Sequence, residues 1–143
     1  MRSIDLHHAS HYFEATMTTQ TADAAASIRN GQLIDLTTTG RQSGEAKRIE
    51  IVIFSFEGRL YISGMPGPRA WLANVAADPR IIVHLKGDVE ADLPGRARVI
   101  SDPAERRPLL QRITRHWRRE DQLDAFVETS PLIEVELEEP VAA

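Results

Sequence analysis

The stretch Gly40-Arg41-Gln42-Ser43-Gly44, followed by Lys47 and Arg48, holds the densest set of groups able to do chemistry. Two glycines permit backbone angles at which successive amides turn toward one point, a concavity that suits an anion. Arg41, Lys47, Arg48 and the Ser43 hydroxyl strengthen that preference, in a chain whose formal charge is −4. The loop reads either as a cradle for a phosphate or carboxylate or as a solvated hairpin turn. It is not a P-loop, because GxxxxGK[ST] is missing, and no GxGxxG occurs elsewhere. A second glycine-bearing loop, Ser63-Gly64-Met65-Pro66-Gly67-Pro68-Arg69, runs into a stretch carrying Trp71 and Asn74. A loop that enters a helix offers free amides and a positive dipole end to an anion. Taken by itself, Trp71 reads first as a core residue.

Other chemistry is thinner. His7 and His11 stand four apart, as helical metal ligands can, but nothing obvious completes a site, so no metal is expected. His84, in a strand, reads as a packed or hydrogen-bonded histidine. His116 lies among Arg106, Arg112, Arg115, Arg118 and Arg119, a set that reads as a solvated helix face. No Ser/His/Asp order or carboxylate pair stands out, and the catalytic residue is unassigned. Cysteine is absent, which removes disulfides, thiolate metal sites and thiol nucleophiles together. Any chemistry must come from a bound cofactor, a polar side chain or a metal.

The elements that position these groups fit one domain of 143 residues with ordinary hydrophobic (42%) and charged (27%) content. The acidic balance argues against nucleic acid as a partner. No apolar run approaches the roughly 20 residues of a membrane span. The first residues lack the basic-then-apolar order of a secretory leader. The expectation is a cytoplasmic protein without a membrane span, with peripheral membrane contact left open.

Residues 1–20 read as a variable arm, a plausible lid over a substrate, and 21–143 as the domain proper. An alanine-rich helical stretch after Thr21 stops at Asn30-Gly31. QLIDLTTTG, AKRIEIVIFSF and RLYIS are strands by β-branched content, the last two joined at Glu57-Gly58 as a hairpin. Apolar residues on both faces of AKRIEIVIFSF predict that this strand is covered on both sides. Pro68 suits the first turn of a helix in which Trp71, Leu72, Val75 and Ala76 recur at helical spacing. RIIVHLKG is a strand, and EADLPGRARVI is one that Pro94-Gly95 should interrupt with a bulge or turn. Ser101-Asp102-Pro103 starts a helix with the stripe Leu109, Leu110, Ile113 and Trp117. A second helix around Leu123, Phe126 and Val127 precedes a last strand, PLIEVELEE. About six strands with inserted helices predict a mainly β, α+β domain built on an antiparallel barrel rather than a doubly wound parallel sheet.

In order, LTTTGRQSGEAKRIEI, GRLYISG and PRAWLANVAADPRIIVHLKG resemble the deazaflavin (coenzyme F420)-dependent nitroreductase family, with the matched stretch covering Leu36 to Gly87. The resemblance implies an FMN-binding split-barrel-like fold, an antiparallel split β-barrel with flanking helices. It also implies transfer of a hydride from reduced F420 to an electron-poor acceptor such as a quinone, nitroaromatic or conjugated enone or lactone. Carried onto this chain, it sets Arg41, Gln42, Ser43, Gly44 and Lys47 around the coenzyme's phosphate and glutamyl tail. Ser63 and Gly64 would meet the phosphate from the second loop, and Trp71 and Asn74 would close the groove. The backbone from Arg48 through Ile49 to Ile51 would run beside the ring. Gln42 and Gly64 stand where relatives usually carry lysine, with Arg48 and Arg69 as neighbouring cations able to compensate. Tyr12, His84, His116 and Trp117 are candidates for the acceptor side. The alternatives are an FMN-dependent split-barrel reductase and a non-catalytic barrel that binds a cofactor or lipid. The expected assembly is a monomer or homodimer, acting on a small-molecule hydride acceptor.

Overall fold

The structure, a computed structural model, describes Ile28 and residues 31–138. The expected arm, Tyr12, His7, His11 and most of the alanine-rich stretch lie outside the described residues. Six strands form a closed barrel in the order β1-β2-β3-β6-β5-β4. They are β1 (Gln32–Thr39), β2 (Ala46–Phe56), β3 (Arg59–Ser63), β4 (Arg80–Lys86), β5 (Glu90–Val99) and β6 (Leu132–Leu137). All neighbours are antiparallel. Helix α1 (Ala70–Ala77) lies between β3 and β4. Helices α2 (Pro103–Trp117) and α3 (Leu123–Thr129) lie between β5 and β6.

The period of two along the strands builds two cores. Ile34, Leu36, Ile53, Ile62, Val83, Leu93, Ile133 and Val135 point into the barrel, where Trp71 and Val75 of α1 join them. The opposite faces of β2, β3 and β6 present Phe54, Tyr61 and Leu132 to Leu109, Leu110, Ile113 and Phe126 of the two later helices. Each such fully buried aliphatic or aromatic side chain contributes about 1.5–3 kcal/mol. The β2–β3 turn places Glu57 at φ 52 and Gly58 at φ 80. Two successive residues with positive φ match the twist of the flanking strands. Asp102 caps α2 through a bond from the Ala104 amide (3.0 Å), and Pro103 opens the helix.

Four expectations need correction. First, β5 runs through Pro94-Gly95 without a bulge: Ile82 faces Pro94 and Ile81 faces Gly95 in unbroken register. The glycine is required by long-range packing, since a Cβ there would sit 2.6 Å from the Glu136 carbonyl oxygen of β6. Second, the outer face of β2 is covered only at Phe54 and Phe56; Val52 is 44% exposed, and its cross-strand partner Leu33 is 50% exposed. Third, α1 begins at Ala70, with extended Arg69 as its N-cap, so Pro68 precedes the helix. Fourth, Arg106 does not belong to a solvated arginine face. Its half-buried guanidinium donates to the backbone oxygens of Ile100, Phe126, Val127 and Ser130, and burial lowers its pKa.

Candidate functional site

Two cavities adjoin along β2. The smaller, about 360 Å³, is lined by Thr38, Gly40, Arg41, Gln42, Ser43, Lys47, Ile49, Ala70, Trp71 and Asn74. The larger, about 650 Å³, includes Ile49, Ile51, Val52, Phe54, Ser63, Gly64, Met65, Arg69, Trp71, Trp117, Arg119 and Phe126. Ile49 and Trp71 belong to both, so one groove runs from a cationic end to an aromatic one.

At the cationic end the β1–β2 loop closes on itself. Gly40 donates to the Glu45 carbonyl (2.8 Å), Gly44 to the Gly40 carbonyl (2.8 Å) and the Glu45 amide to Ser43 Oγ (3.1 Å). Gly44 adopts φ +73. A Cβ on Gly40 would meet Ser43 Oγ at 2.7 Å, so a larger residue there would push the Ser43 hydroxyl off its bond to the Glu45 amide. Buried Asn74 of α1 ties this loop to the helix. Its Oδ1 accepts from the Arg41 amide (3.2 Å) and Arg41 Nη1 (3.1 Å), while its Nδ2 donates to Thr38 Oγ1 (3.2 Å). The helix thus tethers the exposed Arg41 guanidinium through one of its donors.

Strand alternation sorts the loop's cations. Lys47 and Ile49 line the groove, whereas Arg48 points away and pairs with Asp35 at 3.0 Å. Lys86 binds Asp35 at 2.8 Å and also Glu50. Lys86 and Arg48 hold the Asp35 carboxyl below its ordinary pKa. Arg48 is therefore committed to the outer face of the barrel.

At the aromatic end Trp117 packs edge-on against Phe54 (centroids 5.2 Å) and tilted against Phe126 (6.1 Å). Ser63 Oγ donates to the Pro131 carbonyl (2.6 Å). Arg69 donates to the carbonyls of Met65 and Pro68 (both 3.0 Å), and its guanidinium fills the space beside Gly64 and Gly67. Between the ends, β2 is open. It pairs with β1 from Ala46 to Ile53, but with β3 only from Ile53 to Phe56. The other edge of β2, through Ile49 to Val52, therefore leaves backbone donors and acceptors beside the larger cavity.

The groove thus gathers Arg41, Gln42, Ser43, Lys47, Ile49, Ser63, Gly64, Trp71, Asn74 and Trp117, with Gly44 shaping the loop. It does not include His84. That ring lies in β4, with Nε2 2.7 Å from Thr37 Oγ1 and Nδ1 2.7 Å from Asp92 Oδ1. His116 packs near Phe56, with ring centroids 5.8 Å apart. Sequence reasoning passed over Met65, Phe54, Phe126 and Arg119 as lining residues. Arg119 had no signal of its own, because only the chain reversal after α2 brings it to the groove. Among the described residues, no three or more His, Asp or Glu side chains gather as a metal site, and no helix is long and apolar enough to cross a membrane.

Residues 11–139 match the family described as F420H(2)-dependent quinone reductase. No curated protein sequence matches the chain. Among solved structures, the chain is similar to an F420-H2 dependent reductase, FDR-A (20% identity, TM-score 0.51, covering 76% of this chain and 97% of that one). It is also similar to a nimc/nima family protein from Clostridium acetobutylicum (14% identity, TM-score 0.57, 90% and 86% covered). A third similar structure is described as a domain-swapped dimer (20% identity, TM-score 0.53, 87% and 94% covered). At these identities the likeness is one of fold.

Proposed function

The chain belongs to the F420H(2)-dependent quinone reductase family, and on that premise we propose that it reduces an electron-poor acceptor, a quinone first among the candidates, with reduced coenzyme F420. Nitroaromatics and conjugated enones or lactones share the electronic character such a reaction needs. The observation that carries the reading is the continuous groove, cationic at Arg41 and Lys47 and aromatic at Phe54 and Trp117, with an open strand edge between. An anionic tail joined to a flat polar ring matches that order of surfaces.

In this reading Arg41, Lys47, Gln42 and Ser43 hold the phosphate and tail, and Asn74 keeps Arg41 tethered. A phosphate between two cations gains charge-assisted hydrogen bonds with the geometry already set. Ile49 and Trp71, which line both cavities, would hold the coenzyme between its tail and its ring. The free amides and carbonyls of β2 from Ile49 to Val52 would offer hydrogen bonds to the polar ring. Ser63 and Gly64 border it from the second loop. When bound, the reduced deazaflavin supplies the hydride. The protein's tasks are to orient the two reactants face to face and to exclude water, for which Phe54, Trp117 and Phe126 supply the apolar walls. Solvent supplies the balancing proton. The enzyme works in the cytoplasm as a monomer or homodimer.

The test is a titration of purified protein into F420, followed by its fluorescence, and then oxidation of reduced F420 by menadione. Micromolar binding and acceptor-dependent oxidation are expected. Absence of binding, with FMN bound instead, would overturn the reading. Binding without turnover across quinones, nitroaromatics and enones would make the barrel a carrier rather than an enzyme.

A further inference from the structure

The arginines of this acidic chain differ in their partners. On the outer surface Arg48 pairs with Asp35, Arg59 with Glu134, Arg80 with Asp78, Arg98 with Glu105 and Glu134, Arg107 with Asp124, and Arg112 with Glu57, whereas exposed Arg96, Arg115 and Arg118 have no carboxylate partner among the described residues. Along the groove, Arg41, Lys47, Arg69 and Arg119 have no carboxylate within ion-pair distance among the described residues. Arg41 and Lys47 serve the cationic end. Arg69 and Arg119 border the aromatic cavity, whose single acidic lining residue, Glu50, is engaged by Lys86.

Arg119 is placed by backbone geometry. Arg118 adopts a left-handed conformation (φ 59, ψ 45) at the end of α2, a state that favours glycine. Its amide bonds the Arg115 carbonyl at 3.1 Å, and the Arg119 amide bonds the Thr114 carbonyl at 2.7 Å. This closure reverses the chain directly after Trp117. It brings Arg119 to the same cavity as that indole, with a long 3.4 Å contact from Nη1 to Gln122 as its one side-chain bond among the described residues. Arg69, by contrast, already has two carbonyl partners. A guanidinium with open donors at the rim of an aromatic pocket recognises a planar molecule that bears a carboxylate.

We propose that the acceptor carries an anionic group, a carboxylate in the simplest case, and that Arg119 is the specificity-determining residue that receives it. The inference rests on the reductase reading above and deepens it. The acceptor's ring lies against Trp117, which Phe54 and Phe126 back from the core, and its carboxylate reaches out to Arg119. The charge does not enter the redox step: acid and ester each gain one hydride from the coenzyme and one proton from solvent to become the hydroquinone.

The experiment compares 3-(3-methyl-1,4-naphthoquinon-2-yl)propanoic acid with its methyl ester, both reduced by the full chain with reduced F420. The acid is expected to have a KM about tenfold lower than the ester, the low end for a charge-assisted contact at a partly open site. Added salt should narrow the difference. Arg119→Gln should bring the two KM values together while the F420 Kd, read by fluorescence, stays within twofold of the parent. Equal KM values for acid and ester in the parent would overturn the proposal. So would a tenfold weaker F420 Kd in Arg119→Gln, which would assign this cation to the coenzyme's own tail. Oxidation of reduced F420 by the ester reports the reductase reading separately, so loss of the one is distinguishable from loss of the other.

Discussion

Replacing Arg106 by methionine removes the clasp that holds α3 and the start of β6 onto α2. Its guanidinium donates to Ile100 O (2.8 Å), Val127 O (2.7 Å), Phe126 O (2.9 Å) and Ser130 O. Ile100, Phe126 and Ser130 are each at most 3% exposed, so water replaces the lost donors poorly. A buried acceptor left without a donor costs about 1–3 kcal/mol. Methionine relieves the desolvation of the charge and fills part of the volume, which offsets some of that sum. Phe126 O keeps the Ser130 amide (3.1 Å), so three carbonyls lose a donor, and after that offset the net expectation is a loss of about 3–5 kcal/mol. With about 3 °C per kcal/mol in a domain of this size, Tm should fall by about 10–15 °C. Circular dichroism melts of the parent, Arg106→Met and Arg106→Lys provide the measurement. Lysine keeps the charge but not the planar fork, so it should restore less than half of the loss. A fall of under about 3 °C for methionine, near 1 kcal/mol, would refute the reasoning, because the carbonyls of Ile100, Val127 and Ser130 would then be satisfied without the arginine.

Three further outcomes follow from the same geometry. Arg41→Ala and Lys47→Ala should each weaken F420 binding about tenfold by fluorescence titration, with Tm within about 2 °C of the parent; a sharp fall in Tm with unchanged Kd would make the loop structural. Gly95→Ala drives a Cβ to 2.6 Å from the Glu136 carbonyl oxygen, and strain of that kind in a packed sheet should cost about 1–3 kcal/mol in urea melts. Arg80 hydrogen bonds lower the Asp78 pKa from 3.8 to about 2. Its stabilising effect is therefore complete above the unfolded-state value and lost as pH falls from about 4 toward 2. Asp78→Asn should flatten that part of the acid-unfolding profile.

Much of the barrel was legible because local signals and the global fold agree. The hairpin at Glu57-Gly58 needs positive φ twice, and the flanking runs alternate with period two up to the turn. Lys47 and Ile49 on one face, with Arg48 on the other, follow from the same alternation, although the three cations read in sequence as one cluster. The misreadings share a cause. Pro94-Gly95 looks like an interruption until β6 is laid against it, and Arg106 looks solvated until α3 covers it. Neither partner is near in sequence: Gly95 faces Leu137 of β6, and Arg106 reaches Val127. Arg119 is the analogous omission at the candidate site, since nothing in RHWRRE says which arginine the left-handed turn will aim inward. The groove as a whole was readable only through resemblance, because its two ends come from a hairpin loop and from helices some 70 residues downstream in the chain.

The open edge of β2 has a consequence for the protein outside catalysis. A row of unpaired backbone groups is a template on which a foreign strand can dock. Here it lies next to Ile51-Val52-Ile53-Phe54, an uncharged, β-prone run of the kind that seeds stacked sheets. Closure covers most other edges of the barrel, although β5 from Glu90 to Leu93 also lacks a β6 partner, and in the groove a small molecule can do what a neighbouring strand does. A ligand seated in the groove covers the template as well as reacting there. The expected outcome is that light scattering rises faster with protein concentration for the ligand-free chain than for the chain saturated with F420.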